Sequence, residues 1–347
     1  MSSYDDTMEL EAPISSAPDV KSAPLRPDVT PAPSLKAHAV VFRGQETLDI
    51  EELALIEPGD GDYVVDVYWS GVSTGTERLL WSGDMPSFPG LSYPLVPGYE
   101  AVGVIAAAPG NPSRVGDSVF VPGGHGFNGA AGVFGASAMR LVVPAERCVH
   151  LKKPLTEDAI LLALAATAHH AVNVGAPPEL IVGHGVLGRL IARITMALGH
   201  AVPTVWETDP VRRSSESYAV VSPEVDTRSD YQSACDVSGD VSVLDQIIMR
   251  SAKGADIILA GFYSDRPSFA FPAAFMREIT LKIAAEWTRD DLTAVQALRD
   301  EGRLSFDDLI THTRTPAQAD GAYRTAFGDP ACLKMVLDWR DFHDNAH

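Results

Sequence analysis

The run from Glu179 to Ala192 constrains the fold of this chain more than any other stretch. A short apolar run, Leu180 to Val182, leads into the spacing G-x-G-x-x-G, and an amphipathic helical pattern follows at once. This order predicts a tight turn between a strand and a helix, with backbone amides and the helix N-terminus open to a pyrophosphate. We therefore predict a dinucleotide site formed by Gly183, Gly185, Val186, Leu187 and Gly188.

The next strand-like run supports this prediction. It spans Ala201 to Trp206 and delivers Glu207 about 20 residues beyond the fingerprint, where an acidic residue binds the adenosine ribose hydroxyls. A carboxylate at that place repels a 2′-phosphate, so the sequence predicts NAD as the cofactor. Arg212 and Arg213 follow closely and leave NADP as the alternative.

Composition and hydrophobic patterns divide the chain into four parts. Residues 1–35, rich in Pro, Ala, Ser and Asp, are predicted to be a disordered tail. Residues 36–153 contain short strand-like runs between Gly, Pro and Asp turns and predict a β domain. Residues 154–288 alternate strands with helices, as in a parallel sheet, and residues 289–347 are expected to return to the first domain. One connection, 222–234, is too short for a crossover helix.

Charge and cysteine usage exclude several classes of protein. The formal net charge of -19 argues against binding to nucleic acid or to anionic membranes, because both need clustered Lys and Arg. Residues 1–35 hold no apolar run long enough for a signal peptide or a membrane span. The three cysteines form no C-x-x-C pair and predict reduced thiols in a cytoplasmic protein.

Several short motifs resemble the medium-chain dehydrogenase/reductase superfamily from Lys36 to Trp339. The resemblance implies a GroES-like β domain joined to a Rossmann domain with a doubly wound parallel sheet, and the cofactor between them. It also implies a homodimer that pairs through the edge of the Rossmann sheet, at Thr280 to Ala285. The motifs are Ser70–Ser73, Pro97–Glu100 with Val102–Gly103, Val115–Val119, Thr167–Ala171 and the fingerprint.

The departures from this superfamily concern zinc. Zinc-dependent members carry a ligand cysteine where this chain has Ser73 and a ligand histidine where it has Tyr99, and hydroxyls are poor zinc ligands. The four-cysteine lobe of those members is also replaced by a glycine-rich run, Pro122 to Gly135. We therefore expect no catalytic metal.

More narrowly, Tyr68–Arg78, Val121–His125 and Leu333–Trp339 resemble a zinc-lacking branch that acts on a tetrapyrrole. That resemblance implies oxidation of the 3-(1-hydroxyethyl) group of a bacteriochlorophyllide to 3-acetyl, with NAD. Two alternatives remain at this point. One is a zinc-free quinone or enoyl reductase, and the other is a dinucleotide-binding protein without catalysis.

An alcohol dehydrogenase without zinc needs side chains that orient the hydroxyl and handle its proton. Ser73, Tyr99 and Glu100 fall at or beside the positions that resemble the zinc site, as does Glu77. We predict that Tyr99 and Ser73 orient the alcohol, although Tyr99 could act as a base only with a lowered pKa. The alternative is that they fill the space left by the metal.

Two histidines are further candidates. His125 lies among glycines and could serve as the base, although a solvent-facing turn histidine is the simpler interpretation. His170 begins a helical pattern where superfamily members often carry a histidine beside the cofactor, and a role in helix packing fits equally well.

The run Leu79 to Pro94 is predicted to contact the substrate. Trp81, Phe88 and Tyr93 offer aromatic faces for a flat macrocycle, and Arg78 could bind a propionate. The alternative is an ordinary loop whose aromatic side chains anchor it to the core.

Overall fold

The computed structural model describes residues 35–87, 89–131, 134–152, 154–213 and 217–344. The predicted tail, apart from Leu35, and the predicted substrate contact Phe88 lie outside the described residues. All described residues fall within one compact unit.

The first half of the chain is mostly β-structure. Alternation of apolar and polar residues places one face of each strand in the core, which is why these segments form sheets. The elements are β1 (Lys36–Gly44), β2 (Thr47–Ala54), β3 (Asp62–Val72), α1 (Thr76–Ser82), β4 (Ala101–Ala107), β5 (Ser118–Val121), β6 (Arg140–Pro144) and β7 (Val149–His150).

Strands and helices alternate after residue 160. The remaining elements are α2 (Leu162–Asn173), β8 (Leu180–Val182), α3 (Val186–Ala197), β9 (Thr204–Trp206), β10 (Ala219–Val221), β11 (Tyr231–Asp236), α4 (Leu244–Arg250), β12 (Ser251–Leu259), α5 (Phe271–Arg277), β13 (Thr280–Ile283), α6 (Arg289–Asp300), β14 (His312–Arg314), α7 (Ala319–Gly328), β15 (Met335–Asp338) and α8 (Arg340–Asp344).

Two sheets carry the architecture. The first is mixed, with the order β14-β15-β3-β4-β5-β7, while β6 also pairs with β3 and β1 pairs with β2 in a separate hairpin. The second is entirely parallel, with the order β10-β9-β8-β11-β12-β13. The strand order reverses between β8 and β11, and ligands bind at the carboxyl ends of the strands at such a point. The predicted α/β architecture is confirmed.

The chain returns to the first sheet at its end. β15 pairs antiparallel with β3, and this register brings Met335 opposite Val72. Helix α2 lies in a hydrophobic core that also includes Trp69 and Phe120 of the mixed sheet and Ile181 of the parallel sheet. The two sheets therefore share a core, which fixes the carboxyl edge of the parallel sheet relative to β3 and β4.

Two connections on the parallel sheet depart from a full doubly wound fold. The predicted short connection after β10 is confirmed, because β10 and β11 are joined without a helix. Between β9 and β10, residues 207–213 and 217–218 also form no helix. None of the described helices is both long and apolar enough to cross a lipid bilayer.

Candidate active site

The glycine-rich turn after β8 is built to leave space beside its backbone. Gly183 has φ 102°, a conformation that favours glycine, and a Cβ atom on Gly188 would lie 2.0 Å from the Gly183 carbonyl oxygen. A Cβ on Gly185 would meet no protein atom within 4 Å. The first and third glycines therefore serve the turn and the packing of α3, while the second faces open space.

The N-terminus of α3 points its amides to the same space. The helix begins at Val186, and Leu187 and Gly188 complete its first turn. Its N-cap residue is Gly185, whose lack of a side chain leaves the first amides uncapped. Free amides and the positive end of the helix dipole favour a phosphate group at this place.

Glu207 lies directly after β9 and is almost fully buried. Its Oε2 accepts a hydrogen bond from the His184 amide at 3.0 Å, and its Oε1 accepts one from the Asp209 amide at 2.8 Å. Two backbone donors thus fix the carboxylate beside the glycine-rich turn. Arg212, which could have bound a 2′-phosphate, donates from Nε to the Pro330 carbonyl at 2.9 Å.

His170 contacts another helix. Its Nδ1 lies 3.3 Å from Asp291 Oδ2, and the neighbouring His169 Nδ1 lies 2.7 Å from Asp291 Oδ1. Asp291 also closes the capping box of α6 with Thr288. These contacts join α2 to α6, so they support the helix-packing interpretation of His170.

Ser73 and Tyr99 meet at the end of β3. The Tyr99 hydroxyl donates a hydrogen bond to Ser73 Oγ at 2.5 Å, and Ser73 is almost fully buried. Burial raises the pKa of Tyr99 well above its ordinary value, and the nearby charge of Glu100 adds to this. Tyr99 is therefore a hydrogen-bond donor, and its high pKa opposes the alternative that it acts as a base.

Glu100 does not face the same space as Ser73. Its carboxylate forms an ion pair with the Lys334 ammonium, and both side chains are only 1% exposed. The pair lies against Gly71, where a Cβ atom would come within 2.5 Å of Glu100 Oε2 and 2.9 Å of Lys334 Cε. Glu100 and Lys334 thus form a buried charged layer, and the catalytic role of Glu100 stays a prediction.

Glu77 completes this buried layer from α1. It is fully buried, and its Oε1 accepts a hydrogen bond from the Ser73 amide at 3.0 Å. Within the described residues, Oε2 of Glu77 has no hydrogen-bond partner. Burial raises the pKa of Glu77 to about 8, so this carboxyl holds its proton at neutral pH.

Sequence reasoning missed Lys334 and Tyr323. Lys334 is a single cation in the apolar run Leu333 to Leu337, and such a residue indicates a buried ion pair. Tyr323 on α7 is fully buried, and its hydroxyl lies 3.1 Å from Ser137 Oγ. No local pattern indicates that contact, since 186 residues separate the two.

The aromatic residues predicted to contact substrate have different environments. Trp81 is 5% exposed and packs edge-on against Phe42, with Tyr323 stacked at 6.4 Å. It is a core residue, which supports the alternative that the aromatic side chains anchor this segment to the core. Tyr93 is 37% exposed, while its hydroxyl donates to the Leu80 carbonyl.

His125 and Arg78 are both exposed. Arg147 Nη1 lies 2.8 Å from His125 Nε2, and partial burial together with this cation lowers the pKa of His125. The structure thus pairs His125 with Arg147 instead of with the Ser73–Tyr99 hydroxyls. Arg78 follows Glu77 on α1, on the side of that helix that faces outward.

The donor set at Ser73 and Tyr99 does not suit zinc. Zinc sites in proteins are built from thiolates, imidazoles and carboxylates, and here two hydroxyls bind each other while the nearby Glu100 is neutralised by Lys334. Among the described residues, no group of three or more His, Cys, Asp or Glu side chains could hold a metal ion.

Comparison with known proteins identifies the family. The alcohol dehydrogenase GroES-like domain family matches residues 59–153. A 2-desacetyl-2-hydroxyethyl bacteriochlorophyllide A dehydrogenase of Cereibacter sphaeroides is 51% identical over 315 residues, and one of Rhodobacter capsulatus is 50% identical over 312. Each alignment covers 88% of this chain and 99% of the relative. The chain belongs to this dehydrogenase family.

This chain has the medium-chain dehydrogenase/reductase fold. The structure of an Escherichia coli alcohol dehydrogenase, rspB, complexed with NADH superposes with a TM-score of 0.75 at 19% identity. The match covers 87% of this chain and 99% of the E. coli protein, so the fold is shared over both sheets.

Proposed function

We propose that this dehydrogenase oxidises the 3-(1-hydroxyethyl) group of a bacteriochlorophyllide to 3-acetyl, with NAD as the hydride acceptor. The names of the two relatives give the hydroxyethyl group as a substituent at position 2, because they use a different numbering of the ring. One observation carries the proposal: the 51% identity extends over 99% of a relative named for this substrate. The similarity therefore includes both the glycine-rich turn and the half of the chain that holds Ser73.

NAD fits the site better than NADP. Bound NAD would supply the acceptor for the hydride that leaves the carbinol carbon, and the hydroxyl proton would be released to solvent. The open space at Gly185 admits the pyrophosphate, and the carboxylate of Glu207 accepts from ribose hydroxyls but repels a 2′-phosphate. Arg212, engaged with Pro330, supports the same preference.

The Ser73–Tyr99 pair orients the substrate alcohol. Ser73 Oγ accepts a hydrogen bond from the Tyr99 hydroxyl, which leaves the hydrogen of Ser73 and one lone pair on its oxygen for the substrate hydroxyl. Because Tyr99 keeps its proton, it polarises Ser73 and strengthens hydrogen bonding to the negative charge that develops on that oxygen. Ser73 directly follows β3, and Tyr99 lies two residues before β4 at the end of the connection from α1, so both side chains are close to a strand.

The buried layer of Glu100, Lys334 and Glu77 near the Ser73–Tyr99 pair carries little uncompensated charge. Glu100 is neutralised by Lys334, and the raised pKa of Glu77 keeps that carboxyl protonated near neutral pH. An uncompensated carboxylate there would oppose negative charge on the substrate oxygen. We therefore propose that this chain stabilises that charge with hydroxyl donors and without zinc.

The exposed side chains of the substrate half suit a tetrapyrrole. Tyr93 presents a partly exposed ring, and the guanidinium of Arg78 can bind a propionate carboxylate. We propose these two residues as substrate contacts, while Trp81 supports α1 from the core.

We also propose a homodimer that forms along β13. This strand is the edge of the parallel sheet, and its Ile283 is 76% exposed. On the neighbouring α5, Met276 is 71% exposed, and Phe271 and Phe275 are exposed beside it. An unpaired edge with an adjacent apolar patch favours pairing with a second copy. Sedimentation velocity of the wild type and of Ile283→Lys tests this, since the variant is expected to be monomeric.

The decisive experiment mixes metal-analysed protein with NAD and 3-(1-hydroxyethyl) bacteriochlorophyllide a. The acetyl carbonyl conjugates with the ring, so oxidation should shift the long-wavelength absorption band to the red while NADH forms in equal amount. A matching shift in metal-free protein supports both the substrate and the zinc-free chemistry. Binding of NADH without any shift would contradict the proposed substrate, and turnover of quinones or enones would then favour the reductase alternative.

A further inference from the structure

The residue between the first two glycines of the turn has an unusual environment. His184 is fully buried, although its neighbour Gly185 faces open space. Its Nδ1 lies 2.7 Å from the Arg212 carbonyl oxygen, and its Nε2 lies 2.9 Å from the Tyr218 hydroxyl. A side chain that leaves the phosphate-binding turn thus reaches the middle of the segment that joins β9 to β10, at Arg212, and its C-terminal end, at Tyr218.

The chemistry of the partners fixes the direction of both hydrogen bonds. A carbonyl oxygen only accepts, so His184 Nδ1 carries a hydrogen and donates it to Arg212. The Nε2 of a neutral imidazole is then an acceptor for the Tyr218 hydroxyl. Both ring nitrogens are used, and neither contact can be replaced by water without opening a buried site.

The segment that His184 holds is also stabilised by local turn contacts, such as that of the Arg212 amide with the Asp209 carbonyl oxygen at 3.1 Å. Residues 207–213 and 217–218 form no helix, so they have no helical ladder of backbone hydrogen bonds. Arg189 of α3 adds a second contact to the segment, because its Nη2 donates a hydrogen bond to the Arg212 carbonyl oxygen at 3.2 Å. The segment begins with Glu207, whose carboxylate accepts a hydrogen bond from the backbone amide of His184.

We propose that His184 is a positioning residue for the dinucleotide: its imidazole fixes the β9–β10 segment against the glycine-rich turn and so places Glu207 for the adenosine ribose. The inference rests on the proposed binding of NAD. It assigns His184 a function that the glycine fingerprint does not require, since the fingerprint leaves that position unspecified.

Replacement of the imidazole tests the proposal. We expect His184→Ala to weaken binding of NADH and of AMP about tenfold in fluorescence and competition titrations, because the buried contacts to Arg212 and Tyr218 are lost. The KM for NAD should rise by a similar factor, while kcat at saturating NAD stays within about twofold. The preference for NAD over NADP should fall, since Glu207 loses its fixed place. His184→Asn, which keeps a donor near Nδ1, should recover part of the loss.

Controls separate positioning from packing. Tyr231→Phe removes another buried tyrosine hydroxyl of the same sheet, one that donates to Asp226 at the amino end of β11, and it should leave NADH affinity unchanged. If His184→Ala lowers only the melting temperature while NADH and AMP bind as in the wild type, the inference is overturned.

If His184→Ala does not fold, the KM for NAD of Tyr218→Phe tests the inference instead. An increase of about threefold in the KM for NAD, with no increase in Tyr231→Phe, supports the inference, and equal behaviour of the two variants overturns it. If the wild-type protein binds no dinucleotide, the proposed function is overturned as well. Unchanged binding in folded His184→Ala would overturn this inference alone.

Discussion

The dinucleotide half of this molecule, around the glycine-rich turn, and the substrate half, around Ser73 and Tyr99, differ in the groups that build them. Around Gly185 the chain presents backbone amides to open space. Beneath Ser73 the chain buries the charged groups Glu100 and Lys334 and the carboxyl of Glu77. Binding at the first site therefore depends on open space beside the backbone, whereas the second site depends on the compensation of buried charge. Different substitutions should damage the two sites.

The largest expected effect is on the buried ion pair. Lys334→Met leaves the carboxylate of Glu100 buried without a partner, which should lower the free energy of unfolding by about 3–5 kcal/mol in urea titrations. The double variant with Glu100→Gln should recover most of that loss, because no uncompensated charge remains. Lys36→Met removes an exposed ion pair with Glu52 and should cost less than about 1 kcal/mol. Equal losses in the two lysine variants would contradict the comparison.

In the dinucleotide half, the matched pair of variants is Gly185→Ala and Gly188→Ala. A methyl group at Gly185 meets no protein atom, so the variant should fold as the wild type but bind NADH about 100-fold more weakly. A methyl group at Gly188 overlaps the Gly183 carbonyl and should lower the melting temperature as well. Thermal unfolding and NADH fluorescence distinguish the two outcomes. Wild-type NADH affinity in Gly185→Ala would show that the cofactor does not approach this turn.

The same contrast explains what the sequence could predict. The strand predicted at Leu180 to Val182 matches β8, and the short connection after β10 was correctly predicted, because glycine spacing and chain length act locally. By contrast, β2 was missed, since its charged residues interrupt the apolar alternation, and β14 was missed because it is only three residues long.

Side-chain partners distant in sequence could not be predicted in the same way. Trp81 and Arg78 occupy the same short helix, and only the packing of Phe42 and Tyr323 decides that one is in the core while the other is exposed. Glu100 was predicted from its place in a motif, whereas its partner Lys334 lies 234 residues away. The motif located the residue but not the direction of its carboxylate.

Glu77 offers a pH-dependent test of the charged half. Its folded-state pKa of about 8 lies above the ordinary value of 4.5, so the folded protein holds this proton more tightly than the unfolded one. Stability should then fall as pH rises between these two values. Glu77→Gln mimics the protonated group, and its stability relative to the wild type should increase by up to about 1.4 kcal/mol per pH unit in that window.

The measurement is the difference in unfolding free energy between variant and wild type at several pH values from about 5 to 8. Glu52→Gln serves as the control, because its hydrogen bond to Lys36 lowers the pKa of that exposed carboxyl and its difference should stay flat over this range. A flat difference for Glu77→Gln would mean that Glu77 is charged throughout, and the hydroxyl pair would then lie above a net negative layer.

The smallest expected effect concerns Arg78, which is exposed and so acts through a solvent-screened contact. Arg78→Ala should raise the KM for the bacteriochlorophyllide about fivefold and leave kcat and NADH affinity unchanged, because only a charge-assisted bond to the propionate is lost. The methyl ester of the same substrate provides the control. Esterification should weaken binding to the wild type by a similar factor but have no further effect in Arg78→Ala, since both changes remove one interaction. Additive losses would place the propionate elsewhere, and the substrate half would then recognise the macrocycle through its ring alone.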